Sequence, residues 1–263
     1  MTPSRQVIEV WGRLACFTRP ELKVERFSYP VITPSAARGI FDAICVNRHE
    51  FRWQILQVEV LEPPAFIALR RNEVKEKGPS DRTVHQWMQG TVPPTPILAG
   101  AGEDANTRGK RRSRRPSALP ILAGAGEEAN TQRQTMALKN VRYRIHAEVR
   151  PWRGYEDQIE KMEARFRRIA GAGKCFFQPY FGCREFPAFF RLLEHGESGP
   201  PPVPLDVRIG WMLYDVFDLS RPGSSEDRPF ISLFEAELRG GVMEVPPYES
   251  DRVVKPPREA ADA

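Results

Sequence analysis

Three features of this 263-residue chain predict an α+β fold, with an N-terminal ferredoxin-like domain and a smaller antiparallel β-sheet unit after it. The first is a β-α-β-β order of patterned segments before residue 80. The second is the run Val141, Tyr143, Ile145, Ala147, Val149, whose period of two puts five apolar side chains on one strand face. The third is a set of short apolar runs after residue 186, punctuated by Pro and Gly in the manner of antiparallel strands. Together they suit a domain of the RNA-recognition type over residues 1–170, an antiparallel unit over 171–247 and a disordered tail over 248–263.

Residues 7–12 read as the first strand. Pro34 to Ile44 reads as a helix, because Pro34 and Ser35 are helix-start residues and Ala36, Ala37, Ile40 and Ile44 recur at helical spacing. Arg52 to Leu61 alternates through Trp53, Ile55, Val58 and Val60, and Phe66 to Val74 follows as another strand. Tyr155 to Ala170 is a charged helix with Ile159, Met162, Phe166 and Ile169 on one stripe. Strands over 186–193, 207–216 and 230–237 build the second unit.

An insert near 78–132 interrupts this plan. Pro96 to Thr107 recurs almost verbatim at Pro120 to Thr131, differing only at Asp104 against Glu128. Between the copies, Arg108 to Arg115 holds six cations in eight positions. Two copies are too few for a solenoid, so the segment reads as a tandem duplication in a mobile surface loop.

Composition narrows the function classes. Lys+Arg number 39 against Asp+Glu 34, a net charge of +5 that permits a polyanion partner. No apolar run reaches a membrane span and no signal-peptide pattern opens the chain, so a cytoplasmic location is expected. Cys16, Cys45, Cys175 and Cys183 are scattered without a CxxC pair, which argues for reduced thiols packed as small hydrophobes and against a zinc site. Neither a cofactor nor a metal is called for.

The richest stretch runs from Val10 to Ile44. Arg13, Arg19, Lys23, Arg26 and Arg38 are interleaved there with Phe17, Phe27 and Tyr29. Cations that hold phosphates, beside rings that stack bases, are what single-stranded RNA binding requires. Arg19, Lys23, Arg26 and Arg38 are therefore the expected phosphate contacts. Tyr180 and Arg184, a ring and a phosphate fork close together, are expected to join them.

The wording of this stretch resembles the N-terminal signature of the Cas-five family of CRISPR-associated proteins, in the d subtype (also called c) of type I-C systems. Matching motifs follow in order: Arg70 to Val74, Leu138 to Tyr143, Cys175 to Ala188, and Gly210 to Asp215. The resemblance spans most of residues 7–247. It implies a metal-independent endoribonuclease that cuts the precursor CRISPR RNA at its repeat hairpin and keeps the 5′ handle. It also implies partners: the backbone and large subunits of a Cascade effector complex, with target DNA as a further contact.

The family's catalytic set, a Tyr or His after the first helix and a Lys followed by His or Tyr at the later one, falls here on Cys45, Lys161 and Met162. Lys161 fits, whereas Cys45 and Met162 depart. Methionine transfers no proton, and a thiol serves as base only with a lowered pKa; His49 and Tyr155 are the nearby substitutes. Three readings therefore stand: an endoribonuclease using Lys161 and Cys45, a non-catalytic subunit that grips the handle, and a DNA-duplex binder acting through Arg108–Arg115. Cys45 and Met162 favour the second, whereas the usual absence of another processing enzyme in type I-C systems, implied by the resemblance, favours the first.

Overall fold

A computed structural model describes residues 3–22, 25–74, 80–92, 130–194, 196–197, 199–224 and 227–257. It is an α+β structure of mostly antiparallel sheets. The first strand, β1 (Gln6–Ala15), leads through a two-residue β2 (Arg26–Phe27) to helix α1 (Pro34–Ile44). Strands β3 (Phe51–Val60) and β4 (Ala65–Val74) follow, then α2 (Asp81–Met88), the 22-residue β5 (Asn130–Pro151) and α3 (Ile159–Gly171). The chain ends with β6 (Phe189–Leu192), β7 (Val207–Asp215), β8 (Ser232–Leu238), β9 (Val242–Glu244) and β10 (Val253–Val254).

The main sheet runs β6-β1-β5-β3-β9, with β2 and β4 also paired to β5. β5 lies antiparallel to β1 and β3, with Val10 and Val60 both opposite Tyr143. The alternation read from the sequence sets its inner face: Val141, Tyr143, Ile145, Ala147 and Val149 are all buried. Helices α1 and α3 cover that face through an aromatic cluster. Phe41 lies 4.9 Å from Trp53 and 5.4 Å from Phe166, and Trp53 lies 4.7 Å from Phe166. Removing one such fully buried ring costs about 3–5 kcal/mol, so this cluster fixes α1, β3 and α3 against one another.

Several sequence expectations need correction. The division at residue 170 does not hold, because β6 pairs with β1 and β9 pairs with β3, so both complete the main sheet. Met1–Leu69 and Thr135–Ala263 instead form one compact unit and Arg70–Gln134 another. The smaller sheet is β10-β8-β7. The tail is also ordered further than its Pro-rich composition suggests. Tyr248 is 1% exposed and Val253 pairs with Phe234, so the burial of two apolar side chains holds the backbone to residue 257.

Within the unit Arg70–Gln134, the described residues hold the ends of β4 and β5 and the helix α2, whose Ser80 cap accepts the Thr83 amide at 3.2 Å. A helix thus begins the segment read as a loop; most of the duplicated insert, including Arg108–Arg115, lies outside the described residues. No described helix is long and apolar enough to cross a membrane. Cys16, Cys45 and Cys183 are buried free thiols, as their packing role predicts, whereas Cys175 is exposed.

Candidate nucleic-acid interface

Helix α1 organises a cleft of about 990 Å³. At its start Thr33 caps the first turn, accepting the Ala36 amide at 3.2 Å. At its end the Ala43 carbonyl, left open by the last turn, accepts the amides of Phe176 (2.9 Å) and Phe177 (3.0 Å). These bonds stand the two rings up at the helix end. They meet edge to face, 4.6 Å apart, and are 69% and 63% exposed.

The chain then folds back on itself. Phe181 and Phe186 are tied by the Phe181 amide to the Phe186 carbonyl (2.8 Å), and the Cys16 amide anchors the loop on the Phe181 carbonyl (3.1 Å). Gly182 has φ +78°, and a Cβ there would collide with the Cys16 carbonyl oxygen, so glycine is required. Phe181 and Phe186 are buried by this loop, and Tyr180 and Arg184 are left exposed at the cleft.

The third wall follows β7. Asp215 Oδ1 accepts the amides of Val216 (2.8 Å) and Phe217 (3.0 Å), which turns Phe217 into the cleft beside the Arg38 guanidinium, 5.6 Å from the ring centroid. The exposed Arg48 and Arg184 line the same space. No described carboxylate lies within ion-pair distance of either, whereas Arg221 is held by Asp227 at 2.6 Å. Open rings beside unpaired guanidinium groups can stack bases while holding phosphates.

The structure distributes the sequence-predicted residues unevenly. Arg38 lines the cleft, and its guanidinium is engaged by two aspartates. Its Nε and a terminal nitrogen donate to the two oxygens of Asp215 (2.7 and 3.1 Å), and the other terminal nitrogen donates to Asp42 (2.6 Å). Burial works against that guanidinium, and the two aspartates outweigh it, leaving the pKa raised. Arg19 lies 4.6 Å from the Tyr29 ring and 3.7 Å from Glu21. Arg26 reaches the Cys183 thiol (3.4 Å) and Glu185 (3.7 Å), on either side of Arg184. Lys23 lies outside the described residues. Phe17 and Tyr29 are core residues, 2% and 1% exposed, so of the three signature rings only Phe27 is open, against Phe66 at 5.7 Å.

Of the expected catalytic pair, Cys45 is buried and Lys161 is exposed. Cys45 closes α1 with its amide on Phe41 and is 2% exposed. Burial raises its thiol pKa; Arg165 and Arg168 pull it down only in part, against Asp42 and Glu50. The condition for a cysteine base, a lowered pKa, is therefore not met. Met162 is buried in the core, and Lys161 is exposed on α3. Lys161, Arg165 and Arg168 share one helix face at i, i+4 and i+7, so the cations acting on Cys45 belong to that face.

The loop after Cys45 is laced to the entry of α3. Trp152 donates its indole N–H to the Arg48 carbonyl (2.9 Å) and its amide to Glu50 (2.8 Å), and Tyr155 donates its amide to Trp152 (3.0 Å). This gathers exposed His49 and half-buried Tyr155 where Arg48 and Trp152 line the cleft.

Phe177, Phe217 and Arg48 are site residues that sequence reasoning passed over. Phe176-Phe177 lay in a quoted motif, and an apolar pair in a Gly-rich loop, without the periodicity of a strand or helix, was the available signal. Nothing comparable marked Phe217.

The chain resembles known proteins over nearly its whole length. The family model of Cas5d, described as a CRISPR-associated protein (Cas_Cas5), matches residues 7–246. A Mannheimia succiniciproducens protein named CRISPR pre-crRNA endoribonuclease Cas5d is 36% identical over 256 residues, covering 94% of this chain and 96% of that one. The Thermus thermophilus protein of the same name is 32% identical over 255 residues, covering 92% of each. The fold is shared with a crystal structure described as a CRISPR-associated protein, at TM-score 0.58 and 17% identity, covering 97% of this chain and 98% of that one. A functionally uncharacterized Streptococcus mutans protein superposes at TM-score 0.56 and 17% identity, with coverage of 95% and 97%.

Proposed function

The chain belongs to the Cas5d family of CRISPR-associated proteins, and from that premise we propose that it binds the repeat-derived 5′ handle of CRISPR RNA and cleaves the precursor transcript. The observation that carries this reading is the cleft of Phe177, Tyr180 and Phe217 with Arg48 and Arg184. In the proposed chemistry the RNA 2′-hydroxyl forms a bond to the adjacent phosphorus while the bond to the 5′-oxygen breaks, giving a 2′,3′-cyclic phosphate and a 5′-hydroxyl without a metal. His49 or Tyr155 takes the 2′-OH proton in place of buried Cys45, and the leaving 5′-oxygen takes a proton from solvent water. The cationic face of Lys161, Arg165 and Arg168 supports the charge that develops on the phosphoryl oxygens.

The strand order β6-β1-β5-β3, with α1 following β1 and α3 following β5, supports a ferredoxin-like reading of the main sheet. The same premise suggests backbone and large effector subunits as partners and a cytoplasmic setting; a DNA contact through Arg108–Arg115 rests on the charge of that run alone. A second reading, a handle-gripping subunit that does not cut, is favoured by the burial of Cys45 and Met162.

The deciding experiment incubates the full chain with repeat RNA in EDTA. A product ending in a 2′,3′-cyclic phosphate is expected. Tight binding without cleavage from pH 6 to 9 would establish the second reading instead.

A further inference from the structure

The outer face of the main sheet carries a second aromatic pair, away from the cleft. Along β1, Ile8 and Val10 are fully buried, and a Cβ on Gly12 would press on Phe181 and Pro187 of the cleft loop. Strand alternation therefore sends Glu9, Trp11 and Arg13 to the opposite face. Trp11 sits in register with Phe189 of β6. Their rings are stacked with centroids 6.4 Å apart at 26°, and they are 37% and 52% exposed.

The charges around this pair are arranged asymmetrically. Glu9 is 1% exposed, held by Arg142 and, at 3.2 Å, by Arg191, which also reaches Glu197 at 2.6 Å on the rim. The carboxylate of Glu9 is thus withdrawn from solvent, while the side chains of Arg142 and Arg191 stay 39% and 44% exposed. Arg13, exposed one step along the face from Trp11, has no described partner. Two open rings beside Arg13 and the ion-paired but solvent-exposed guanidinium groups of Arg142 and Arg191 complement a polyanion with flat units better than an apolar protein surface.

We propose that this face is a second binding site for single-stranded nucleic acid, with bases on Trp11 and Phe189 and phosphates at Arg13, Arg142 and Arg191. Lying across β1 from the cleft, it can hold a strand segment while the cleft holds the handle.

The test uses the full chain with fluorescent oligo-uridylate and oligo-thymidylate 12-mers, one copy of the former carrying 4-thiouridine for crosslinking. Crosslinks are expected on the peptides containing Trp11 or Phe189, and should persist in the cleft variants Phe177→Ala and Arg184→Glu. Phe189→Ala, Trp11→Leu and Arg13→Glu should each weaken oligo-uridylate binding about tenfold, while Phe189→Tyr, which keeps the ring, stays within twofold of the unaltered chain. Parallel losses with oligo-thymidylate assign the site to both RNA and DNA strands; losses with oligo-uridylate alone assign it to RNA. Affinities within twofold for all three disruptive variants with unchanged melting, or no crosslink on either peptide, would overturn the proposal and give this face to a protein partner. Because the cleft variants are read separately, this failure is distinguishable from failure of the handle-binding reading.

Discussion

Arg38 of α1 grips both carboxylate oxygens of Asp215 at the end of β7, at 2.7 and 3.1 Å, with Asp215 only 1% exposed. This pair fastens the helix wall of the cleft to the strand that carries Phe217.

Arg38→Ala leaves a buried carboxylate without its counter-charge, so unfolding free energy should fall by about 3–5 kcal/mol. Arg38→Lys should not restore it, since an ammonium cannot form the bidentate fork. Denaturant titration checks both. RNA affinity at temperatures where the variant is folded should change less than for Arg184 variants, because all three guanidinium nitrogens of Arg38 already donate to buried Asp215 and to Asp42.

Arg184→Ala should weaken handle-RNA binding and lower the salt slope of log K by about 0.7, the contribution of one single-strand phosphate. Phe177→Ala should weaken binding by about 1–3 kcal/mol with the slope unchanged, as loss of a stacked base does. Anisotropy titrations at several salt concentrations separate the two effects.

Cleavage should be insensitive to Cys45→Ala, whose thiol is buried and protonated, with rates within about threefold of the unaltered chain. His49→Gln should slow it about 10²–10⁴-fold if His49 is the base, with Tyr155→Phe as the alternative loss. Lys161→Ala should slow it about 10²–10³-fold with modest loss of binding. Single-turnover rates in EDTA are the measurement; a severe effect of Cys45→Ala would restore the thiol to the mechanism.

Gly182→Ala should destabilise the chain by about 1–3 kcal/mol from its positive φ alone, with the clash against Cys16 added. Handle affinity should fall with it, because the same loop carries Tyr180 and Arg184. Melting and binding measured on one preparation test the coupling.

Stability should also depend on pH through His146. Its Nε2 lies 2.7 Å from Glu59, and burial lowers its pKa below the ordinary 6.5, with Glu59 opposing. The folded state therefore binds this proton less readily than the unfolded chain. His146 contributes a loss of stability that sets in as pH falls through about 6.5 and levels off below its lowered folded-state pKa, with a slope of at most about 1.4 kcal/mol per pH unit. Above that range both states are neutral and the effect disappears. His146→Gln should flatten this part of a stability–pH curve recorded by urea titration.

Much of the main sheet was legible because periodicity reports directly on burial. Helix α1 occupies the span its Pro34 start and apolar stripe predicted, and the alternation around Tyr143 marked the inner face of β5. Local patterns could not show that β6 and β9 return to the main sheet, since pairing partners far apart in sequence leave no local trace. The Pro-rich tail hid Tyr248 for the same reason: composition records the cost of ordering a segment, not the distant surface that offsets it.

The signature segment teaches the same lesson at the site. The sequence by itself determined the family, the α1 helix and the pairing of cations with rings, because these depend on residue identity and local order. Only the tertiary structure decided which members face solvent. Arg38 is consumed by Asp215 and Asp42, Phe17 and Tyr29 by the core, and Cys45 by the end of α1. Phe177 and Phe217 are presented instead, by their backbone amides donating to the Ala43 carbonyl and to the Asp215 carboxylate. Exposure and ion pairing are properties of surfaces brought together from residues 43, 177 and 217, and a linear pattern contains no term for that distance.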